Sequence, residues 1–367
     1  MSLLCLVGLV LAGCVGPPMP LAPTTTNHAG QQIPAPIKSM PLRPSAQAAK
    51  RVYMIISAPT ILDGSLNESA WEGLKLAESR LGMKINYIKA VETTEVSAAF
   101  TAAAGQGYDI IWAVGEAEKE ALFQAAAKNP KQLYAGIDFC YLDERGLVNN
   151  LPNLLTITFN AQENGFLMGY IAAMTSKTKK VGFIGREEDV LGQAFRYGFM
   201  AGVKCANKKV TAYAEFIGMD GTREKAQTKA VALYKKGCDI LYHAAGEAGA
   251  GVLDAAKARG DGKWVIGQEG DQNEDNAEYL LAYMKKEAGQ GLLQVMADYR
   301  AKGRLSGGRD LNLGLLEGGI SIAPLVEKTV SAEVLHKTAM ITDAVKAKEI
   351  IVPHNKAAYD AFIKALP

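Results

Sequence analysis

The sequence predicts an α/β protein made of two successive lobes, each a doubly wound parallel sheet. Three observations predict it. Short apolar, β-branched runs alternate with helix-periodic segments from residue 49 onward. The order strand, helix, strand repeats, which requires parallel strands joined by right-handed crossovers. The alternation then starts afresh near residue 180, after a first set of strands is complete, so one sheet does not account for the chain.

The first unit, RVYMIISAPTILDGSLNESAWEGLKLAESRLG at 51–82, sets the pattern. Residues 52–56 read as a buried strand, and Pro59, Asp63 and Gly64 as turn residues. Ser65 and Glu68 have the spacing of a capping box. Leu66, Ala70, Leu74, Ala77 and Leu81 recur every three or four residues and form one apolar helix face. The intervening loop sits at the carboxyl end of the strand, where open α/β sheets bind ligands. Asp63 and Ser65 are therefore either ligand groups or a plain turn residue and helix cap.

Further strands are predicted at 84–89, 109–114, 132–138 and 154–159, with helices at 94–106 and 117–128. Asn129-Pro130 stops the second of these helices. A helix over 163–175 carries Phe166, Tyr170 and Ala173 on one face. The second set has strands at 180–185, 210–216, 239–243 and 263–267, and helices at 193–205, 223–236 and 249–259. A helix at 290–302, short strands at 311–316 and 320–323, and a helix at 332–348 complete the chain. The predicted division is a first lobe at 49–160, a second at 161–275, and 276–367 completing both, so the chain crosses between lobes more than once.

The amino-terminal 48 residues read differently. Residues 2–11 are apolar and lead into Leu11-Ala12-Gly13-Cys14. That run has the length of a signal-peptide core and is too short to span a bilayer. The tetrapeptide resembles a bacterial lipobox, which makes Cys14 the expected lipidation site, although no Lys or Arg precedes it. The alternative is an apolar stub that happens to hold a cysteine. Residues 15–48, rich in Pro, Thr and Gln, are expected to be a disordered tether. Together these features place a folded body in the cell envelope, anchored to a membrane and facing the periplasm or exterior.

Composition excludes some classes. The 367 residues are 49% hydrophobic and 21% charged, enough for two ordinary domains with a covered core. A formal net charge of +2 is no electrostatic footprint for nucleic acid. Of five cysteines, Cys140, Cys205 and Cys238 remain after Cys5 and Cys14, and none has metal-ligand spacing. They read as buried free thiols, with a Cys205–Cys238 bridge as the alternative. There are four histidines and no HExxH, GxSxG or Cys/His constellation, so neither an enzyme nor a metal or other cofactor is expected.

The loops after the predicted strands, at 57–67, 115–116, 138–141, 186–189, 218–222, 244–249 and 268–272, concentrate Asp, Glu, Gly and Asn. If the lobes face each other, these edges line one cleft, a preferred small-molecule site. Carboxylates at Asp63, Asp138, Glu269 and Asp271 suit vicinal hydroxyls, since charge-assisted hydrogen bonds are roughly twice as strong as neutral ones. The run AAGEAGAG at 244–251 lets backbone approach a ligand, or is simply a tight turn. It matches neither a P-loop nor a dinucleotide fingerprint. Trp112, Phe139 and Phe195 offer rings to stack on a base, with plain core as the alternative. Lys286 reads as a hinge-region ligand contact, or as one solvated lysine on a helix.

At this point the motifs resemble a known family. LDGSLNESAWEG at 62–73, QENGFLMGYIAA at 162–173, VGFIG at 181–185 and FRYGFMAGV at 195–203 occur in its order. They are followed by Ala244-Ala245-Gly246, Ile266-Gly267 with Asp271-Gln272, and Glu317-Gly318-Gly319. The chain is similar, over residues 51–324, to the basic membrane protein family, the Med and PnrA-like substrate-binding lipoproteins of ABC importers. The resemblance implies a type I periplasmic-binding fold that closes on its ligand, a purine nucleoside in the best-known members. It carries pocket roles over to Asp63, Asn67, Asp138, Phe195, Gly246 and Lys286. Glu269 stands where the family uses a ribose-gripping Asp, Leu66 replaces a Phe, and Glu116 stands where an aromatic is usual.

The resulting expectation is a monomeric, lipid-anchored binding protein that takes a nucleoside or similar hydroxyl-rich solute and passes it to an ABC permease. The membrane is met through the anchor, and nucleic acid is not a partner. The rivals are a membrane-tethered ligand sensor or regulator on the same fold, and a nucleoside-processing enzyme.

Overall fold

Two six-stranded sheets organise the chain. The computed structural model describes residues 49–57, 60–61, 65–260, 262–268, 278–323 and 329–366. The strands are β1 (Arg51–Ile56), β2 (Lys84–Lys89), β3 (Ile110–Val114), β4 (Leu133–Ile137), β5 (Leu154–Phe159), β6 (Lys180–Gly185), β7 (Thr211–Phe216), β8 (Ile240–Ala244), β9 (Trp264–Gly267), β10 (Leu280–Lys286), β11 (Arg309–Leu313) and β12 (Ile320–Ile322). Sheet one runs β11-β5-β4-β3-β1-β2 and sheet two β12-β10-β9-β8-β6-β7. Neighbours are parallel in every pair but β10–β12, which is antiparallel. The two orders are the same pattern used twice. Each reverses direction after its first strand, between β1 and β3 and between β6 and β8, and such switch points open a crevice at the strands' carboxyl ends.

The helices are α1 (Leu66–Leu81), α2 (Thr93–Ala104), α3 (Lys119–Lys128), α4 (Ala161–Thr175), α5 (Val190–Ala206), α6 (Arg223–Lys235), α7 (Ala250–Arg259), α8 (Ala288–Lys302), α9 (Ala332–Lys346) and α10 (Lys356–Ala365). In α1 the Ser65 side chain accepts from Asn67 N, and Gly82 ends the helix in the left-handed region at φ 66°. Ala70, Leu74, Ala77 and Leu81 are its buried face, as the spacing predicts. Strand residues of sheet one, Ile55, Ile111 and Tyr134, pack on Phe100 of α2 and Leu122 of α3. In lobe two, Ile184, Leu241 and Val265 pack on Leu233 of α6 and Leu253 of α7.

Glycines let α4 and α5 lie backbone to backbone. A Cβ at Gly169 would sit 2.1 Å from Phe199 O, and one at Gly202 would sit 1.9 Å from Phe166 O. The close approach fixes how α4 lies on sheet two and so where its first turn meets the cleft.

Among the described residues the chain passes between the sheets three times: from β5 into α4, from β10 into α8, and from β11 to β12. Hydrogen bonds lace these passages together. Asn160 N donates to Leu313 O at 2.9 Å, and Glu287 N to Gly319 O at 2.8 Å. Leu315 N donates to the Glu163 carboxylate at 2.8 Å. Burial holds the Glu163 carboxyl above its usual range, against the opposing effect of that hydrogen bond.

Three features depart from the expectations. Lys286 ends strand β10, not a helix, and it is ion-paired. LLAYM is a fully buried strand without period-2 alternation, and apolar runs of that length carry no period that separates strand from helix. The chain does not end in the 332–348 helix. Asn355 caps a further helix, α10, by accepting from Ala358 N, and Phe362 and Tyr359 of α10 lie 6.3 Å and 5.6 Å from the rings of Phe166 and Tyr197. The late strand of sheet one is Arg309–Leu313, two residues earlier than expected at its start. Cys140, Cys205 and Cys238 are free thiols. Among the described residues no helix is long and apolar enough to cross a membrane. The Cys14 expectation and the tether lie outside the described residues.

Candidate functional site

A cavity of about 230 Å³ lies between the two sheets' carboxyl edges. Ser65, Leu66 and Asp138 line it from lobe one. From lobe two come Asn164 at the start of α4, Tyr242 of β8, Gly246 beyond it, Gly267 and Gln268 at the end of β9, and Met284 and Lys286 of β10. The elements explain the meeting. Each residue after a β-strand is carried to the same edge by parallel pairing, and α4 enters lobe two directly from the first passage.

Asp138 follows β4 and has φ 72°, in the left-handed region that non-glycine residues seldom occupy. Its backbone N–H is held by Ile157 O at 2.7 Å. Its Oδ2 accepts from Lys286 Nζ at 2.6 Å, with the side chains 28% and 19% exposed. The pair joins sheet one to sheet two. Lys286 Nζ also stands 5.9 Å from the centroid of the Phe159 ring. Both residues line the cavity, and a carboxylate can accept more than one hydrogen bond.

Gly246 opens a short 3-10 turn at Gly246–Gly249 with φ 58°, a conformation that suits glycine and brings bare backbone to the cavity. Behind it the Tyr242 hydroxyl, in a residue 1% exposed, donates to Asn164 Oδ1 at 3.0 Å. Burial raises the Tyr242 pKa, so this phenol stays neutral and keeps its proton to donate.

Lobe one has a supporting acid at its switch point. Glu118 is fully buried and accepts from Ser57 N at 2.6 Å and Val114 N at 3.0 Å. It thereby clamps the carboxyl ends of β1 and β3 together. Burial pushes its pKa up to about 8 despite the two amide hydrogen bonds.

Of the residues expected from sequence, Asp138, Gly246 and Lys286 are brought together in the cavity lining. Asn67 and Phe195 are not among the lining residues. Asn67 is the second residue of α1, and its Oδ1 is buried without a hydrogen-bond partner among the described residues. Phe195 is 8% exposed on α5, its ring edge-on to Tyr242 at 6.5 Å, one layer behind the wall. Trp112 and Phe139 are core residues, 0% and 3% exposed. Asp63, Glu269 and Asp271 lie outside the described residues. Gln268 comes from the loop after β9, one of the edges expected to line a cleft. Asn164, Tyr242 and Met284 of the lining, and Glu118 behind it, were not expected from the sequence. Asn164 lies inside a helix, and Glu118 is one of two acids in GEAE, so neither carries a local signal.

The sequence matches the family model for Bmp, described as ABC transporter substrate-binding protein PnrA-like, over residues 49–356. It is 35% identical over 315 residues to basic membrane protein A1 of Borrelia garinii subsp. bavariensis, covering 86% of this chain and 91% of the relative. The fold is similar to an ABC transporter solute-binding protein of Conexibacter woesei, with TM-score 0.66, 23% identity, and 83% and 99% of the two chains covered. A solute-binding protein of an ABC system from Aeropyrum pernix matches with TM-score 0.63 and 22% identity, over 86% and 97% of the chains. At those identities the solved structures speak for the fold, two parallel-sheet lobes, and the sequence matches speak for the family. The chain belongs to the Bmp family of PnrA-like ABC transporter substrate-binding proteins.

Proposed function

We propose that this substrate-binding protein takes a purine nucleoside, or a similar hydroxyl-rich solute, into the cleft and hands it to the permease of an ABC importer, without chemical change. The observation that carries the reading is the cavity between the lobes, where Asp138 and Lys286 meet from opposite sheets. A carboxylate and an ammonium in the lining suit the hydroxyls of a sugar, because charge-assisted hydrogen bonds are the stronger kind. In this reading Asp138, Gly246 and Lys286 of the lining contact the solute together with Asp63 and Glu269, Asn67 and Phe195 back that shell, and Cys14 carries the lipid that holds the monomer outside the cytoplasm. Residues 1–14 are then the signal segment and 15–48 the tether, with the folded body beginning at 49.

Solute contacts made from both lobes at once favour the closed arrangement, since a ligand shifts a two-state balance by its differential affinity. The test is a calorimetric and thermal-shift screen of nucleosides and free sugars. A nucleoside at one hundred times its dissociation constant stabilises by about 2.7 kcal/mol. A melt shifted by sugars and by no nucleoside refutes the nucleoside. Release of free base from inosine refutes binding without catalysis. Mass spectrometry of the membrane-extracted protein tests the anchor, which is refuted by a mature chain without acylated Cys14.

A further inference from the structure

We propose that Asn164 is a specificity-determining donor of the cleft, reading a hydrogen-bond acceptor on the solute's heterocycle so that 6-oxopurine nucleosides bind in preference to 6-aminopurine ones. The inference rests on the nucleoside reading above and adds to it the choice among bases.

Asn164 lines the cavity, yet it is 6% exposed. Its side-chain amide has one fixed end. The Tyr242 hydroxyl donates to Oδ1 at 3.0 Å. Were the amide turned over, its N–H would occupy the phenol oxygen, and the hydroxyl proton would face no acceptor in a residue 1% exposed. A buried donor without an acceptor is disfavoured, so Tyr242 locks the amide with Oδ1 turned inward. The Nδ2 group is then the end left for the cavity, and no protein acceptor for it is seen among the described residues.

The surroundings say what kind of acceptor it meets. Asp138 and Lys286 are the charged groups of the lining and serve hydroxyls. Leu66 and Met284 line the same cavity with apolar surface, which suits the body of a flat ring. A neutral amide of fixed orientation suits an edge group on that ring. An oxo group at the 6-position accepts from Nδ2. An amino group there presents a donor to a donor, and a site built around one buried hydrogen bond discriminates against the group that cannot complete it.

The experiment is calorimetric titration of the full chain and two variants with inosine, guanosine and adenosine, each variant's folding being checked by its melting curve. The wild type is expected to bind inosine about tenfold more tightly than adenosine. Asn164→Asp keeps the shape and replaces the donor by an acceptor, so the preference is expected to vanish or invert. Tyr242→Phe leaves Asn164 in place but frees the amide to turn, so the ratio is expected to fall toward one. Equal wild-type affinity for inosine and adenosine overturns the proposal. So does a ratio unchanged in a folded Asn164→Asp protein, or a uniform loss for all three nucleosides, which is what a merely structural role predicts. A wild type that binds none of the three overturns the nucleoside reading itself, an outcome visible before any variant is made.

Discussion

Lys286 Nζ lies 2.6 Å from Asp138 Oδ2, and the two residues belong to different sheets. One ends β10 of lobe two and the other follows β4 of lobe one, 148 positions apart in the chain. The ion pair is therefore both a tie between the lobes and part of the cavity wall. A partly buried pair with one partner removed leaves a charge without compensation, which costs more than the pair itself contributes.

A double-mutant cycle on Asp138→Asn and Lys286→Met follows from this. Each single change is expected to destabilise, and the double change by less than the sum, with a coupling of about 0.5–3 kcal/mol. Chemical unfolding of the four proteins measures it. Strict additivity means the contact does no energetic coupling in solution. Under the proposed function, Asp138→Asn is also expected to weaken binding of the solute about tenfold or more, because a charge-assisted acceptor is lost.

The α4–α5 packing gives a second expectation. Gly202→Ala would place a methyl 1.9 Å from Phe166 O, which is backbone and has nowhere to go. The helices must separate, at a cost of about 1–3 kcal/mol or more. A melting temperature within error of the wild type would show that the helices are not in this contact.

Glu118 predicts a pH dependence. Its folded pKa of about 8 lies above its ordinary value of 4.5, so the folded state holds the proton more tightly than the unfolded chain. Its favourable contribution is complete below pH 4.5 and is lost as pH rises toward 8. Glu118→Gln removes this titration. The variant is expected to gain stability relative to wild type as pH rises through that window, by a few kcal/mol on the order of the shift. Parallel stability–pH curves for the two proteins would mean that the carboxyl ionises normally.

Asn355→Ala removes the cap of α10, whose side chain accepts from Ala358 N at 2.9 Å. A lost cap costs about 1 kcal/mol. Because α10 packs on α4 and α5 through Phe362 and Tyr359, the change is expected to raise amide exchange in α10 first. Unaltered exchange there would deny the cap its role.

Much of the architecture was legible because it rests on local signals. Ile110–Val114 and Lys180–Gly185 are apolar runs bounded by turn residues, and α1 has both a cap and a stop. β10 escaped notice because LLAYMKK has no β-branched residue and is made largely of the helix formers Leu, Ala, Met and Lys. Asp138, Gly246 and Lys286 were reached from sequence, the first two because they sit just past strands, where the sheet must present them. Asn164 and Tyr242 were not, since an Asn within a helix and a Tyr within a strand read as ordinary interior residues until their 3.0 Å hydrogen bond is seen.

The sequence by itself determined the class of the protein: the order of strands and helices and the two-lobed α/β organisation follow from spacing along the chain, and the motifs carry the resemblance to the family. Only the tertiary structure decided which side chains share a cavity and which way they point. That division has a physical reason. Periodicity and capping are set by neighbours a few residues away, whereas Lys286 meets Asp138, and Tyr242 orients Asn164, only after sheets and helices distant in sequence have packed together.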